Sequence, residues 1–366
     1  MHTILILGGY GNFGALISRA LAQDANLRLI IAGRDETKAR NFALELGLMG
    51  EQGVALNAEV TALSQQLRAL KVNTVIHTAG PFQGQDYRVA LAAIAAGSHY
   101  IDLSDGRDFV ANIGRLNVTA RKADVLVVSG ASSVPALSSA VVDFFQPEFS
   151  RLDTIQLGIA SGSKTPGLAT MRAVLGYCGK TFSHFENGYW KGIFGWQNLH
   201  SRRYPAPVGR RWLGYCNVPD LALFPQRYPN VKTVNFHAGL GIPFAHLAVW
   251  ACSWLVRWRI VENMAKYTKP LHWLARKLES FGPRTSAMHV ELNGIGQDGQ
   301  RLTRLWHIVA RQHHGPYIPC GAAIALAHKL ASGELTERGA MPCMGLVTLE
   351  EYMNALAGLD IRQIHG

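Results

Sequence analysis

Thr3-Ile4-Leu5-Ile6-Leu7-Gly8-Gly9-Tyr10-Gly11-Asn12-Phe13-Gly14 is the stretch whose character settles how the chain begins. An apolar run, Thr3–Leu7, enters a glycine-dense turn. Phe13, Leu16, Ile17, Ala20 and Leu21 then recur at helical spacing over residues 12–23. Within the turn Gly9, Gly11 and Gly14 satisfy G-x-G-x-x-G. The first glycine permits a tight turn, the second lets the backbone approach a pyrophosphate, and the third lets helix and strand pack closely. Amides at the start of the helix then face the phosphates. The spacing alone is weak, but a strand before it and an amphipathic helix after it give it meaning.

Outward from this stretch, Leu27–Ala32 is a second apolar run, followed by Ala39, Phe42, Ala43 and Leu46 at helical spacing. Further short runs lie at Val54–Asn57, Thr74–Thr78, Tyr100–Leu103 and Val125–Ser129. Short runs separated by helices predict a parallel, doubly wound sheet with right-handed crossovers. After Pro147 the pattern changes. Thr154–Ala160 and Val231–His237 read as strands, Asn187-Gly188 as a hairpin turn, and Met288–Asn293 with Leu302–Ala310 as a hairpin around residues 296–299. The expected fold is therefore α/β: a Rossmann domain over residues 1–147 and an α+β substrate or dimerisation domain with a mixed or antiparallel sheet over 148–320. Helical stretches Ala322–Leu330 and Leu349–Leu356, within 321–366, are expected to pack back on the first domain.

The end of the second strand selects the nucleotide. An NAD site places Asp or Glu there, to accept from the ribose hydroxyls. This chain has Ala32-Gly33-Arg34-Asp35, with Lys38 a turn further on. A guanidinium at Arg34 suits a 2′-phosphate, and Lys38 adds a point charge. Asp35 would repel that phosphate unless it caps the following helix. The balance favours NADP(H).

Ala79-Gly80-Pro81-Phe82, then Gly97-Ser98-His99-Tyr100-Ile101-Asp102-Leu103-Ser104, and Ser129-Gly130-Ala131-Ser132-Ser133-Val134-Pro135 carry a further signal. With the glycine loop, they make residues 3–145 resemble the saccharopine dehydrogenase-like NADP-binding family. Gly195-Trp196-Gln197 and Val218–Pro225 are similar to a bacterial subgroup of it. The resemblance implies an oxidoreductase fold, NADP(H) as cofactor, and cofactor contacts at Gly9, Gly11, Asn12, Phe13, Gly14, Arg34, Ala79, Gly80 and Pro81. Asn57 stands where the family often has an acidic residue near the adenine. The family does not fix the substrate. Independently of it, the Gly80-Pro81 turn follows a strand's carboxyl end, where open α/β sheets bind ligands.

For substrate chemistry, hydride transfer needs positioning and one group to manage a proton. Asp105, just past the fifth strand, is the candidate catalytic residue; Asp102, inside the strand, reads as structural. Ser132 and Ser133 in the exit turn, and Thr165 opening a helix with Pro166 at its first position, are candidate substrate contacts. Ser161–Lys164 matches S-x-x-K by chance, since the companion S-D-N and K-T-G elements are missing. A short-chain dehydrogenase is excluded: Tyr228 and Lys232 have its Y-x-x-x-K spacing, but Pro229 interrupts it. A G-x-S-x-G hydrolase elbow is absent. Fourteen histidines show no H-E-x-x-H spacing, and the five scattered cysteines read as buried thiols, so no metal is expected.

A net charge of +11 points to anionic partners: cofactor phosphates, an anionic substrate or a lipid surface. No nucleic-acid-reading motif occurs. Residues 233–256 carry no Lys, Arg, Asp or Glu, and Phe244–Val261 is apolar at helical spacing. Lys266–Lys277 then mixes Leu271, Trp273 and Leu274 with basic residues. Together 244–277 fit a core or homodimer contact, or a helix lying on a membrane surface. Met1 runs into a strand without a charged leader, which leads to the expectation of a cytoplasmic protein, at most peripheral on the inner membrane surface. The function expected is NADP(H)-dependent hydride transfer with a small anionic or lipid-like substrate. The alternative is a non-catalytic cofactor-binding or membrane-surface protein.

Overall fold

Strand β1 (His2–Leu7) is the buried centre of a parallel sheet, with Ile4, Leu5 and Ile6 fully covered. β2 (Leu27–Gly33) and β3 (Gly53–Ala55) extend it on one side. β4 (Thr74–His77), β5 (His99–Asp102) and β6 (Leu126–Ser129) extend it on the other. A seventh strand, Gly339–Pro342, arrives from far along the chain and pairs in parallel with β6. The spatial order 3-2-1-4-5-6 reverses between β1 and β4, so the loops after these two strands diverge and leave a crevice at their carboxyl ends. Helices α1 (Asn12–Leu21) and α2 (Glu36–Glu45) cross over between the first three strands. Leu5, Leu7, Ile30, Val75, Tyr100 and Val127 fill one core layer.

The computed structural model describes residues 1–56, 62–162 and 165–366; Asn57, at the end of the third predicted run, and Ser163-Lys164 lie outside them. The chain forms two units, Met1–Leu137 with Tyr317–Leu356, and Ser138–Pro316 with Ala357–Gly366. The division comes before Pro147 because the helix Ser138–Phe145 is tied to the second unit. Ser138 donates to Asp220, and Asp143 receives Arg227 Nη2 at 2.6 Å and Tyr228 Oη at 2.7 Å. The expectation that all of 321–366 joins the first unit is corrected at its end. The helix Gly321–Ser332 does pack on α1, but the last strand, Ile361–His365, pairs with the second unit's sheet.

That second sheet contains β7 (Phe149–Ala160), β8 (Thr181–Glu186), β9 (Tyr189–Phe194), β10 (His200–Tyr204), β11 (Gly209–Tyr215), β12 (Thr233–Gly239), β13 (Ser286–Gly296) and β14 (Arg301–Ala310). It is mixed: β7 and β12 run parallel, while β13 pairs antiparallel with both β7 and β14. Asn187 and Gly188, both at positive φ, join β8 to β9. Alternation makes one face apolar, with Leu157, Phe236, Val290 and Ile308 buried. The other face carries a row that no sequence spacing announces. His307, His289, Gly158, His237 and Tyr215 are cross-strand partners over β14, β13, β7, β12 and β11. A side chain at Gly158 would lie 2.5 Å from the His289 ring, so glycine there leaves the ring its space. Tyr204 Oη holds His289 Nδ1 at 2.9 Å.

Candidate active site

The glycine loop is set by backbone contacts. Gly8 takes φ +86°, a conformation L side chains avoid, and its amide donates to Ala32 O at 2.8 Å. Gly9 donates to Ile6 O and Ala32 O, each at 3.1 Å, and Gly11 donates to Gly8 O at 2.8 Å, so the chain turns sharply over the ends of β1 and β2. Ser18 Oγ, nearly two turns into α1, reaches back to Gly9 O at 3.1 Å. α1 starts at Asn12 with Gly11 as its cap and no side-chain capping bond. The first amides of a helix have no carbonyl a turn earlier to bond. Gly11 and Asn12 are exposed while Gly14 is buried, its place for a Cβ only 2.1 Å from Gly8 O and 2.8 Å from Thr78 Oγ1. The loop therefore offers a concave backbone surface with free donors, which is what a pyrophosphate requires.

Arg34 follows β2 with its side chain exposed and makes no ion pair with a described residue. Asp35 caps α2, its Oδ1 accepting from Lys38 N at 3.0 Å, which holds its carboxyl below the usual range. Lys38 Nζ, 3.3 Å from Asp35, is partly neutralised there. Of the two predicted cations, Arg34 is the one left available. Tyr10, which sequence reasoning missed, lies across Gly33, where a Cβ would come within 2.3 Å of its ring, and its hydroxyl accepts from Asp35 N at 3.0 Å. It fixes the distance between the glycine loop and the Arg34 turn.

On the other side of the crevice, Thr78 Oγ1 donates to Leu7 O at 3.0 Å and Gly8 O at 3.1 Å, locking the end of β4 to the loop. Ala79, Gly80 and Pro81 follow. Gln85 Nε2 braces this turn, donating to Pro81 O at 2.6 Å and Ala79 O at 3.2 Å. Asp105 is half-buried after β5 and accepts from Gln83 Nε2 at 3.0 Å. Burial pushes its carboxyl above the usual range, against the pull of the Gln83 bond. Thus the loop, Arg34, the Ala79–Pro81 turn and Asp105 all stand at the carboxyl ends of one sheet.

Asp102 is structural. It is fully buried, and one oxygen accepts from Ser104 N, Gly130 N and Ser129 Oγ, each at 2.9 Å. Burial raises its carboxyl to about 6. Beside it Tyr100 Oη meets His77 Nδ1 at 2.9 Å, and burial pushes that imidazole down to about 4. We expect Asp102→Ala to cost on the order of 3–5 kcal/mol in urea unfolding, because three buried donors lose their acceptor; a loss below about 1 kcal/mol would contradict this role.

Three substrate candidates are placed less favourably. Ser132 and Ser133 are buried in the turn after β6; Ser132 N donates to Gly130 O at 2.8 Å, and the Ser133 hydroxyl bonds the Tyr352 phenol. Thr165 does not open a helix. Gly167 is extended, with ψ 157°, so the helix begins at Leu168. Thr165 lies in the second unit, and its buried hydroxyl meets no hydrogen-bond partner among the described residues.

Residues 4–128 match the family model of the saccharopine dehydrogenase NADP binding domain. A comparison with curated protein sequences finds no match. Among solved structures, apo saccharopine dehydrogenase (L-Glu forming) from Saccharomyces cerevisiae superposes with a TM-score of 0.70 at 12% identity, covering 100% of both chains. Amine dehydrogenase from Mycobacterium smegmatis gives a TM-score of 0.50 at 10% identity, covering 94% of each. At such identities these two share the fold with this chain. The matched domain and the loop geometry agree on a bound nucleotide: residues 4–128 are an NADP-binding domain of the saccharopine dehydrogenase type, and the whole chain shares its two-sheet fold with the dehydrogenases it superposes on.

Proposed function

We propose that the protein transfers hydride between NADP(H) and a small anionic or lipid-like substrate. The observation that carries this reading is the conjunction of the bare glycine loop, capped by the start of α1, with an exposed Arg34 at the end of the next strand that makes no ion pair among the described residues. In this reading the amides of Asn12, Phe13 and Gly14 receive the pyrophosphate, with Gly9 and Gly11 giving it room. Arg34 takes the 2′-phosphate and Lys38 adds a weaker field. Ala79, Gly80 and Pro81, braced by Gln85, hold the nucleotide's other half over the crevice. When bound, the nicotinamide supplies or accepts the hydride.

The chain itself must then handle a proton. Asp105 stands at the strand ends, and its carboxyl is shifted toward neutrality, which suits a group that both holds and releases one. Gln83 fixes its orientation. The substrate contacts proposed are Ser132 and Ser133 in the first unit and Thr165 in the second.

The test is a nucleotide titration of wild type and Arg34→Ala. Wild type is expected to prefer NADPH over NADH by about a hundredfold, and the variant to lose most of that preference, since a charge-assisted guanidinium–phosphate contact contributes about 1.5–3 kcal/mol. Equal affinity for both nucleotides in the wild type would overturn the assignment.

A further inference from the structure

The helix Pro243–Arg257 is built inside out. Its buried positions are His246, Ser253 and Val256. The side that meets solvent is Phe244, Leu247, Ala248, Ala251, Leu255 and, one residue past the end, Trp258. At helical geometry these six fall within an arc of about 100°, and no charged residue interrupts them. A helix on the surface of a soluble protein shows the opposite arrangement. The apolar surface continues beyond the helix: Trp258 is 63% exposed, Ile260 68% and Phe281 76%. In the next helix, Thr268–Leu278, Trp273 is 64% exposed. Trp250, Trp254 and Trp258 form a ladder of rings 6.4 and 5.4 Å apart, so the tryptophans act as one surface rather than as scattered singles.

A positive rim surrounds it. Residues 243–284 hold seven basic and two acidic side chains, and one of the acids, Glu262, is bound by Lys266. Arg257 is held by Gln197 at 2.6 Å with its guanidinium 4.2 Å from the Phe194 ring centre, while Lys277 sits over Trp273. Arg276 and Lys277 are exposed beside the aromatic surface.

We propose that residues 243–284 form a docking surface for an anionic lipid bilayer, with the helix Pro243–Arg257 lying in the plane of the headgroups. Charge selects this occupant. In a symmetric pair of copies the same patch faces itself, so a second copy would bring one basic rim against another. An anionic leaflet satisfies both components: tryptophan, phenylalanine and leucine enter the interface, and arginine and lysine meet the phosphates. The helix rests on the bilayer and does not span it. Its 15 residues reach about 22 Å against a hydrocarbon core of about 30 Å, and no helix among the described residues is long and apolar enough to cross. The surface belongs to the second unit and does not depend on the nucleotide assignment.

The full chain is sedimented with vesicles of phosphatidylcholine alone and of phosphatidylcholine containing about a third phosphatidylglycerol, at low and high salt. Wild type should bind the anionic vesicles at least about tenfold more tightly, and lose most of that binding in high salt. Trp258→Ser with Trp273→Ser should weaken binding about tenfold or more. Arg276→Gln with Lys277→Gln, a change confined to exposed side chains, should weaken it by a similar factor and flatten the salt dependence. Far-UV circular dichroism and the melting temperature, measured on each variant, should stay unchanged and report that the protein is folded. Absence of binding to anionic vesicles, or equal binding to neutral ones, overturns the proposal. So does sedimentation velocity that shows a dimer split by the tryptophan substitutions, since a second copy would then cover the face.

Discussion

Replacing Gly14 with alanine should lower NADPH affinity by about a hundredfold. The Cβ introduced would stand 2.1 Å from Gly8 O, 2.8 Å from Gly8 C and 2.8 Å from Thr78 Oγ1. Two of these are backbone atoms of a turn already fixed by the Gly8 N to Ala32 O bond, and the third is a hydroxyl tied to Leu7 O and Gly8 O. The neighbours cannot yield by a side-chain rotation, so α1 must slide outward by about an ångström. A displacement of that size at a positioning element costs about a hundredfold in rate, and we expect a similar loss in nucleotide affinity because the phosphate-facing amides move with the helix. Isothermal titration with NADPH measures the loss, and far-UV circular dichroism checks that the sheet remains. An alanine variant that binds like wild type would remove the loop from the nucleotide site.

The second large effect is instability in mild acid. His77, His237, His246, His289 and His307 are all buried. Desolvation pushes His237 down to about 3, His77, His246 and His307 to about 4, and His289 well below its ordinary value. Each is neutral in the folded chain and takes up a proton near pH 6.5 once unfolded. Their contribution is complete above 6.5 and is lost as pH falls from there toward 4. Asp102, raised to about 6, and Asp220, raised to about 7, act in the opposite direction. Folded, they hold a proton that the unfolded chain releases near 3.8, so their contribution is present at low pH and is lost as pH rises from about 4 to 7. Near pH 5 these five imidazoles, joined by His99 at about 4, oppose the two carboxyls, joined by Asp105, which burial also raises. The unfolded chain then binds about three more protons than the folded one, a slope of about 4 kcal/mol per pH unit. Set against a usual stability of about 5–15 kcal/mol, this predicts a steep fall in melting temperature between pH 6.5 and 5. An unchanged melting temperature across that interval would refute it.

Much of the candidate site's local structure could be seen before the fold was known, because its signals are local. The strand Thr3–Leu7, the glycine spacing and the Phe13–Leu21 helix are contiguous, so one period change marks the loop. The nucleotide choice also sits in one short stretch, Gly33–Lys38, although only the structure separated an available Arg34 from a Lys38 held by Asp35. Thr165 shows where local signals mislead: Thr-Pro reads as a helix start, but the extended Gly167 delays the helix to Leu168. The braces Tyr10, Thr78, Gln83 and Gln85 have no spacing to betray them, since each bonds backbone or side chain across a turn.

By itself the sequence determined the alternation of short apolar runs and helices in the first 145 residues, and hence a parallel sheet with a tight glycine turn after its first strand. It did so because hydrophobic period and glycine freedom act over a few residues. Tertiary structure alone decided what depends on distant pairing. The strand Gly339–Pro342 closes the first sheet beside β6, and the strand Ile361–His365 crosses to the second. Four strands bring His307, His289, Gly158 and His237 into one row. Strand pairing is satisfied by backbone groups common to every residue, so the partner of a strand is chosen by the whole fold and leaves little trace in its own side chains.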